Sequence, residues 1–219
     1  SYFVLLIAFL CNSCEEVVEV DLVTAPPKLV IEASIFWEKG TVGNNQKIKL
    51  TYTTSYYNTN IPKVNGATVY VKNSSGTIFN FVELSGTGEY ICSDFIPVID
   101  ETYTLTINNG TNTYTATETL KSVAPITKIF QNNEGGFTGK NIEIKTFFID
   151  PANTPNYYLY KYVYSNQIKS NYYVDEDEFF NGNEFFSISQ NDDLKPGDTL
   201  EISHFGISKA YFNYMNVLV

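Results

Sequence analysis

Arginine is absent from this 219-residue chain, so all 14 of its basic residues are lysine, set against 24 aspartates and glutamates for a formal net charge of −10. Without a guanidinium there is no planar bidentate fork for phosphate or guanine, and the acidic excess repels a polyanion. Nucleic acid is therefore not expected as a partner. Histidine is almost absent as well: His204 stands alone, beside three cysteines, Cys11, Cys14 and Cys92. That inventory cannot build a His-rich zinc site or two CxxC pairs, and it leaves little for a His-based triad. No cofactor is expected. What the chain has in quantity is aromatic, with 17 Tyr and 16 Phe. A hydrophobic content of 43% with 17% charged residues describes a folded protein with a core of its own. Thr, Tyr, Phe and Ile favour half-buried strands, although a codon bias towards Asn, Lys, Tyr, Phe and Ile would enrich several of the same residues.

Residues 1–10 are uncharged and apolar and are followed by Cys11, Asn12, Ser13 and Cys14, then at once by Glu15, Glu16, Glu19 and Asp21. A membrane-spanning helix needs about 20 apolar residues and an export signal about 7–15, so the run fits a signal whose basic n-region is missing. Ser13-Cys14 resembles a bacterial lipobox, in which a small residue precedes the cysteine that is acylated and becomes the first residue of the mature protein. Cys11 stands where leucine is usual. The expected organisation is a lipoprotein signal peptide over 1–13 and an acylated Cys14 with tether or first strand over 14–27. Acyl chains anchor a polypeptide that itself stays in water. The acids after Cys14 resemble the surface-export signal of Bacteroidota lipoproteins; a solvated linker is the alternative. The expected location is the outer membrane, lipid-anchored, on the cell surface or else in the periplasmic leaflet. With Cys14 acylated, Cys92 reads as a buried small hydrophobe in a strand.

From Leu29 onward the pattern is strands separated by turn chemistry. Leu29, Ile31, Ala33, Ile35 and Trp37 form one period-two face, and Ile48, Leu50 and Tyr52 the next. Residues 67–71 and 78–82 flank the turn Asn73-Ser74-Ser75-Gly76, and residues 102–107 return through Asn109-Gly110 to 114–116. About seven short strands over 28–125 predict an immunoglobulin-like or transthyretin-like sandwich. A second β-rich domain is expected over 126–219, with a strand at 142–148, another at 157–164 apolar on both faces, a hairpin at 179–188 and a strand at 199–205. One helix follows: Ser208 can cap it, and Tyr211, Tyr214, Met215 and Leu218 recur at helical spacing. Since that pattern runs to the last residue, the second domain is expected to be truncated at its C-terminus. The fold class is all-β, two sandwiches with one short C-terminal helix.

The order and spacing of Cys14-Glu15-Glu16, Pro27-Lys28-Leu29-Val30-Ile31-Glu32-Ala33, Val64-Asn65-Gly66-Ala67, Gly88-Glu89-Tyr90, Tyr103-Thr104-Leu105, Gly197-Asp198-Thr199-Leu200 and Ile207-Ser208-Lys209-Ala210-Tyr211-Phe212 resemble an uncharacterised Bacteroidota lipoprotein family catalogued as a domain of unknown function, number 4249. The resemblance implies a β-rich outer-membrane lipoprotein whose relatives are often encoded beside TonB-dependent transporters. It implies no catalytic residues. The expected function is therefore a non-enzymatic accessory or substrate-capture partner of such a transporter, with a carbohydrate-binding or adhesin-type surface lipoprotein as the alternative.

Two groups of residues could carry chemistry. In Asp175-Glu176-Asp177-Glu178, Asp175 and Asp177 are the candidate metal ligands, but an EF-hand loop starting there fails because Phe180 takes the position that requires glycine. A solvated acidic loop is the competing reading. The pairs Tyr56-Tyr57 and Tyr172-Tyr173 sit beside Asn- and Ser-rich turns, where exposed rings can stack on sugars or pack into a protein partner. Tyr172 and Tyr173 are the candidate ligand-binding residues; the alternative is one ring of each pair in the core. His204 alternates with Leu200 and Ile202 and reads as a satisfied, inward-facing residue.

Overall fold

The computed structural model describes residues 25–189 and 191–219; Cys11, Cys14 and the acids that follow lie outside the described residues. Seven antiparallel strands, β1 (Leu29–Ala33), β2 (Gln46–Tyr52), β3 (Thr68–Asn73), β4 (Ile78–Leu84), β5 (Glu89–Cys92), β6 (Thr102–Asn109) and β7 (Asn112–Thr119), hydrogen-bond in the order β1-β2-β5-β4-β3-β6-β7. The sheet folds into two layers because β4 changes partner midway. Phe79 and Phe81 pair with Val71 and Val69 of β3, whereas Val82 to Leu84 pair with β5. Between the layers Ile48, Leu50, Tyr90 and Cys92 meet Val69, Val71, Phe79, Phe81, Tyr103 and Ile107, all buried at period two. Gly76, at φ +94°, permits the β3–β4 turn, whose Thr77 amide donates to Asn73 Oδ1 at 2.7 Å. β1 is shorter than the alternation suggested. After Ala33 the chain leaves the sheet, and the Trp37 indole donates to the Thr41 carbonyl in a loop.

The second half is two three-stranded sheets, β11-β10-β13 and β12-β9-β8, built from β8 (Ile126–Gly135), β9 (Asn141–Ile149), β10 (Tyr157–Tyr164), β11 (Asn171–Glu176), β12 (Glu184–Ile188) and β13 (Leu200–Ile207). β10 is central, as its two apolar faces require. Tyr158, Tyr160, Tyr162 and Tyr164 point into the core, and Leu159 is buried on the opposite face, where α1 (Lys209–Leu218) packs across β10 and β11. The expected hairpin at 179–188 is not formed. A 3-10 turn, Asp177–Phe179, replaces its first arm, and β12 pairs with β9 instead. β8 and β11 carry too many polar residues on their open faces to stand out in the sequence.

Six residues, 120–125, join the halves without standing free. Leu120 packs on the first core and Ala124 enters the second. Ser208 caps α1 by accepting from the Tyr211 amide at 3.1 Å, and its hydroxyl donates to Glu118 of β7 at 2.6 Å. Phe36, in the loop after β1, meets the Phe205 ring of β13 edge-on at 5.6 Å.

Candidate functional site

Strand periodicity separates the Tyr172-Tyr173 pair. Tyr173 faces the second core with its ring edge-on to Tyr162 at 5.6 Å, while Tyr172 stays 38% exposed on the face that carries α1. They do not form a shared platform. The acidic run is solvated only in part, with Glu176 and Glu178 exposed. Asp175 lies in β11, paired in register with Tyr158, and burial pushes its carboxyl up to about 6 against the opposing influence of the Tyr160 hydroxyl. Asp177 is buried in the 3-10 turn and accepts from the Asn181 amide at 3.0 Å. The two carboxylates therefore serve different neighbours. Among the described residues no three His, Cys, Asp or Glu side chains converge where a metal ion could sit.

Around Asp175 the interior is polar as well as aromatic. Tyr158 donates to Asp150, whose other oxygen accepts from the Gly182 amide at 2.9 Å, and Tyr162 donates to Ser187 at 2.6 Å. Burial, then the Asp150 carboxylate, raises the Tyr158 hydroxyl far above its ordinary range; Tyr162, raised chiefly by burial, reaches about 12. His204 does face inward, stacked on Tyr160 at 4.9 Å and packed on Phe148 and Tyr158, but neither ring nitrogen makes a hydrogen bond of normal geometry. It is not the satisfied histidine expected. Burial first and the Lys39 charge second bring it down to about 4, with the Ala124 backbone acting the other way. Cys92 matches expectation: its buried thiol donates to Asp94 at 3.1 Å and is pushed up to about 11, chiefly by burial, so a reactive thiolate is withheld. Cys92 belongs to the first core and the tyrosines to the second, so these groups serve the interior of each half.

Of the two tyrosine pairs, the exposed one lies in residues 53–62. Tyr56 and Tyr57 are 86% and 77% exposed, with ring centroids 5.2 Å apart and planes nearly perpendicular at 85°. The loop that carries them is braced by its own polar residues. The Asn58 side-chain amide donates to Thr54 Oγ1, its backbone amide donates to the Ser55 carbonyl, and its Oδ1 accepts from the Asn60 amide. Both ends are tied down: the Thr53 amide donates to the Lys28 carbonyl at 2.8 Å, and the Tyr52 amide to Pro62 at 2.9 Å. Bracing of this kind removes ordering cost from whatever the rings contact.

A family model described as "Domain of unknown function (DUF4249)" matches residues 15–219. The chain belongs to this family. A search of curated proteins finds no match. Among solved structures the DUF4249 chain is similar to the FN1-FN3 domains of chicken CNTN1, at 12% identity and a TM-score of 0.24, covering 82% of this chain. It spans 60% of the length of that structure. The all-β architecture of this DUF4249 member accordingly stands on its own strand pairing. Two groups of rings were equally visible in its sequence, and burial alone separates the pair available for contact, Tyr56 and Tyr57, from the pair divided by a strand.

Proposed function

We propose that this chain is a non-enzymatic, surface-exposed lipoprotein of the outer membrane, acylated at Cys14, acting as accessory or substrate-capture partner of a TonB-dependent transporter. The observation that carries the reading is the bond from Thr53 to Lys28, which puts the Tyr56-Tyr57 loop at the end of the first sandwich from which the N-terminal segment departs. Eleven residue steps from Cys14 to Ala25 reach at most about 40 Å. An anchor at Cys14 therefore keeps the two rings close to the membrane plane, within reach of the rim of an outer-membrane barrel. Two or more acyl chains suffice for stable anchoring. No helix among the described residues is long and apolar enough to cross a membrane; the anchor rests on the lipobox resemblance.

Cys14→Ser should release the protein into the soluble fraction, and a variant that stayed fully membrane-bound would refute the anchor. Protease added to intact cells should degrade the chain; protection would place it in the periplasmic leaflet. Mild-detergent purification from the native membrane, followed by mass spectrometry, should recover a TonB-dependent barrel that is lost when Tyr56 and Tyr57 are both changed to Ala. Recovery of the lipoprotein alone favours the second reading, a carbohydrate-binding or adhesin-type surface protein using the same rings.

A further inference from the structure

The two layers of the first sandwich part at the Lys28 end, and the core changes character there. Leu50 and Ile107 are wholly buried. Two residues further along the same faces stand Tyr52 on β2 and Asn109 on β6, and the β6–β7 hairpin register pairs Ile107 with Tyr114 and Asn109 with Asn112. Directly paired residues project to the same side of a sheet. Tyr114 therefore lies beside Ile107 on the core-facing side of the hairpin, and Asn109 and Asn112 continue that side beyond it, towards Tyr52 on the opposing layer. The Asn109 amide donates to the Tyr52 hydroxyl at 2.8 Å, linking the layers at the base of the opening. The result is a cleft of about 630 Å³ lined by Lys28, Tyr52, Asn109, Thr111, Asn112 and Tyr114, among others. That volume falls in the range of small-ligand sites.

The lining is selective in its chemistry. It contains no carboxylate, although the chain has 24, and one cation, Lys28. It offers Tyr rings, two carboxamides and a threonine hydroxyl. A carboxamide donates and accepts at once, which suits hydroxyl groups that do the same, and a Tyr ring packs on an apolar face while its hydroxyl stays in the polar network. An anionic ligand would find a single positive charge inside a field set by a net charge of −10. We infer that this cleft, at the mouth of the first sandwich, is a binding site for a neutral oligosaccharide. It deepens the capture reading by naming the class of cargo and the residues that hold it.

Isothermal titration of the detergent-solubilised full chain with maltohexaose, cellohexaose and xylohexaose, and with hexagalacturonate as the anionic comparison, tests it. At least one neutral hexasaccharide should bind with a dissociation constant on the order of 100 µM or tighter. Asn112→Asp, which leaves volume unchanged but replaces the carboxamide's donor with an acceptor, and Tyr114→Ala should each weaken that binding by about tenfold. Both positions are exposed, and a thermal melt of each variant establishes that it is folded. Absence of binding to all three neutral sugars, tighter binding of hexagalacturonate, or affinity unchanged in both folded variants would overturn the assignment. Because this titration contains no barrel, its failure leaves the co-purification result standing, and the converse holds too.

Discussion

His204 and Asp175 sit in one aromatic interior and are displaced in opposite directions, to about 4 and about 6 from 6.5 and 3.8. The charged and titratable groups acting on them are Lys39 on His204 and Tyr160 on Asp175, with Asp150 and then Asp177 acting on their shared neighbour Tyr158. As pH falls from 6.5 towards 4, the unfolded chain takes up a proton that folded His204 refuses, so this group withdraws stability. Between about 6 and 3.8 the folded chain holds a proton on Asp175 that the unfolded chain releases, so acidification there adds stability. The two slopes oppose each other over nearly the same window. Asp175→Asn should therefore unmask a loss of stability between pH 6.5 and 4, relative to the parent, of about 1–3 kcal/mol. His204→Phe should show the reverse, a gain on acidification. Urea melts of parent and both variants at pH 4, 5, 6 and 7 measure the difference, in which the remaining carboxylates cancel. Parallel curves for all three proteins would remove the compensation.

At the scale of elements, the end of β9 is fastened by one carboxylate. Asp150, 2% exposed, accepts from Tyr158 on β10 and from the Gly182 amide ahead of β12, so it ties both sheets of the second sandwich to the turn between them. Asp150→Ala leaves the buried Tyr158 hydroxyl without its acceptor and also releases the Gly182 amide at the turn, and should cost about 2–4 kcal/mol by denaturant unfolding, more than Tyr158→Phe at about 1–2 kcal/mol. Equal losses would show that the amide contributes nothing. Elements with strict alternation were legible in the sequence: β2, β3, β6 and β10 lie where period two and the doubly apolar run place them. β11 was not, because Asp175 and Glu176 at its end read as solvent-facing charge, and only pairing with β10 buries Asp175. The 179–188 hairpin failed for a related reason. A local turn signal cannot reveal that β12 finds its partner in β9, a strand far earlier in the chain and in the same sheet. The candidate site was legible to the same degree: the Tyr pairs were visible, but which of them is exposed depends on neighbours distant in the chain.

Across the whole molecule the two sandwiches are joined by a docked segment. Gly206 in β13 lies so close to the linker that an added methyl would fall 1.8 Å from the Ser122 carbonyl oxygen. That oxygen belongs to backbone and cannot step aside without moving the junction. Gly206→Ala should cost about 1–3 kcal/mol and shift Ser122 away from β13. The Ser208–Glu118 bond and the Phe36–Phe205 contact lie beside it and should loosen with it. Small-angle scattering should report a changed relation between the sandwiches, and an unchanged profile with unchanged stability would show that the linker yields freely.

Composition and patterning by themselves determined the all-β class, the strand-rich halves and the capped C-terminal helix, because alternation, turn chemistry and capping are local properties. Tertiary structure alone decided which aromatics are interior, that among the described residues neither ring nitrogen of His204 makes a hydrogen bond of normal geometry, and that Tyr52, Asn109, Asn112 and Tyr114 surround one cleft. Burial and proximity are set by contacts between residues far apart in the chain, and a linear pattern does not contain them.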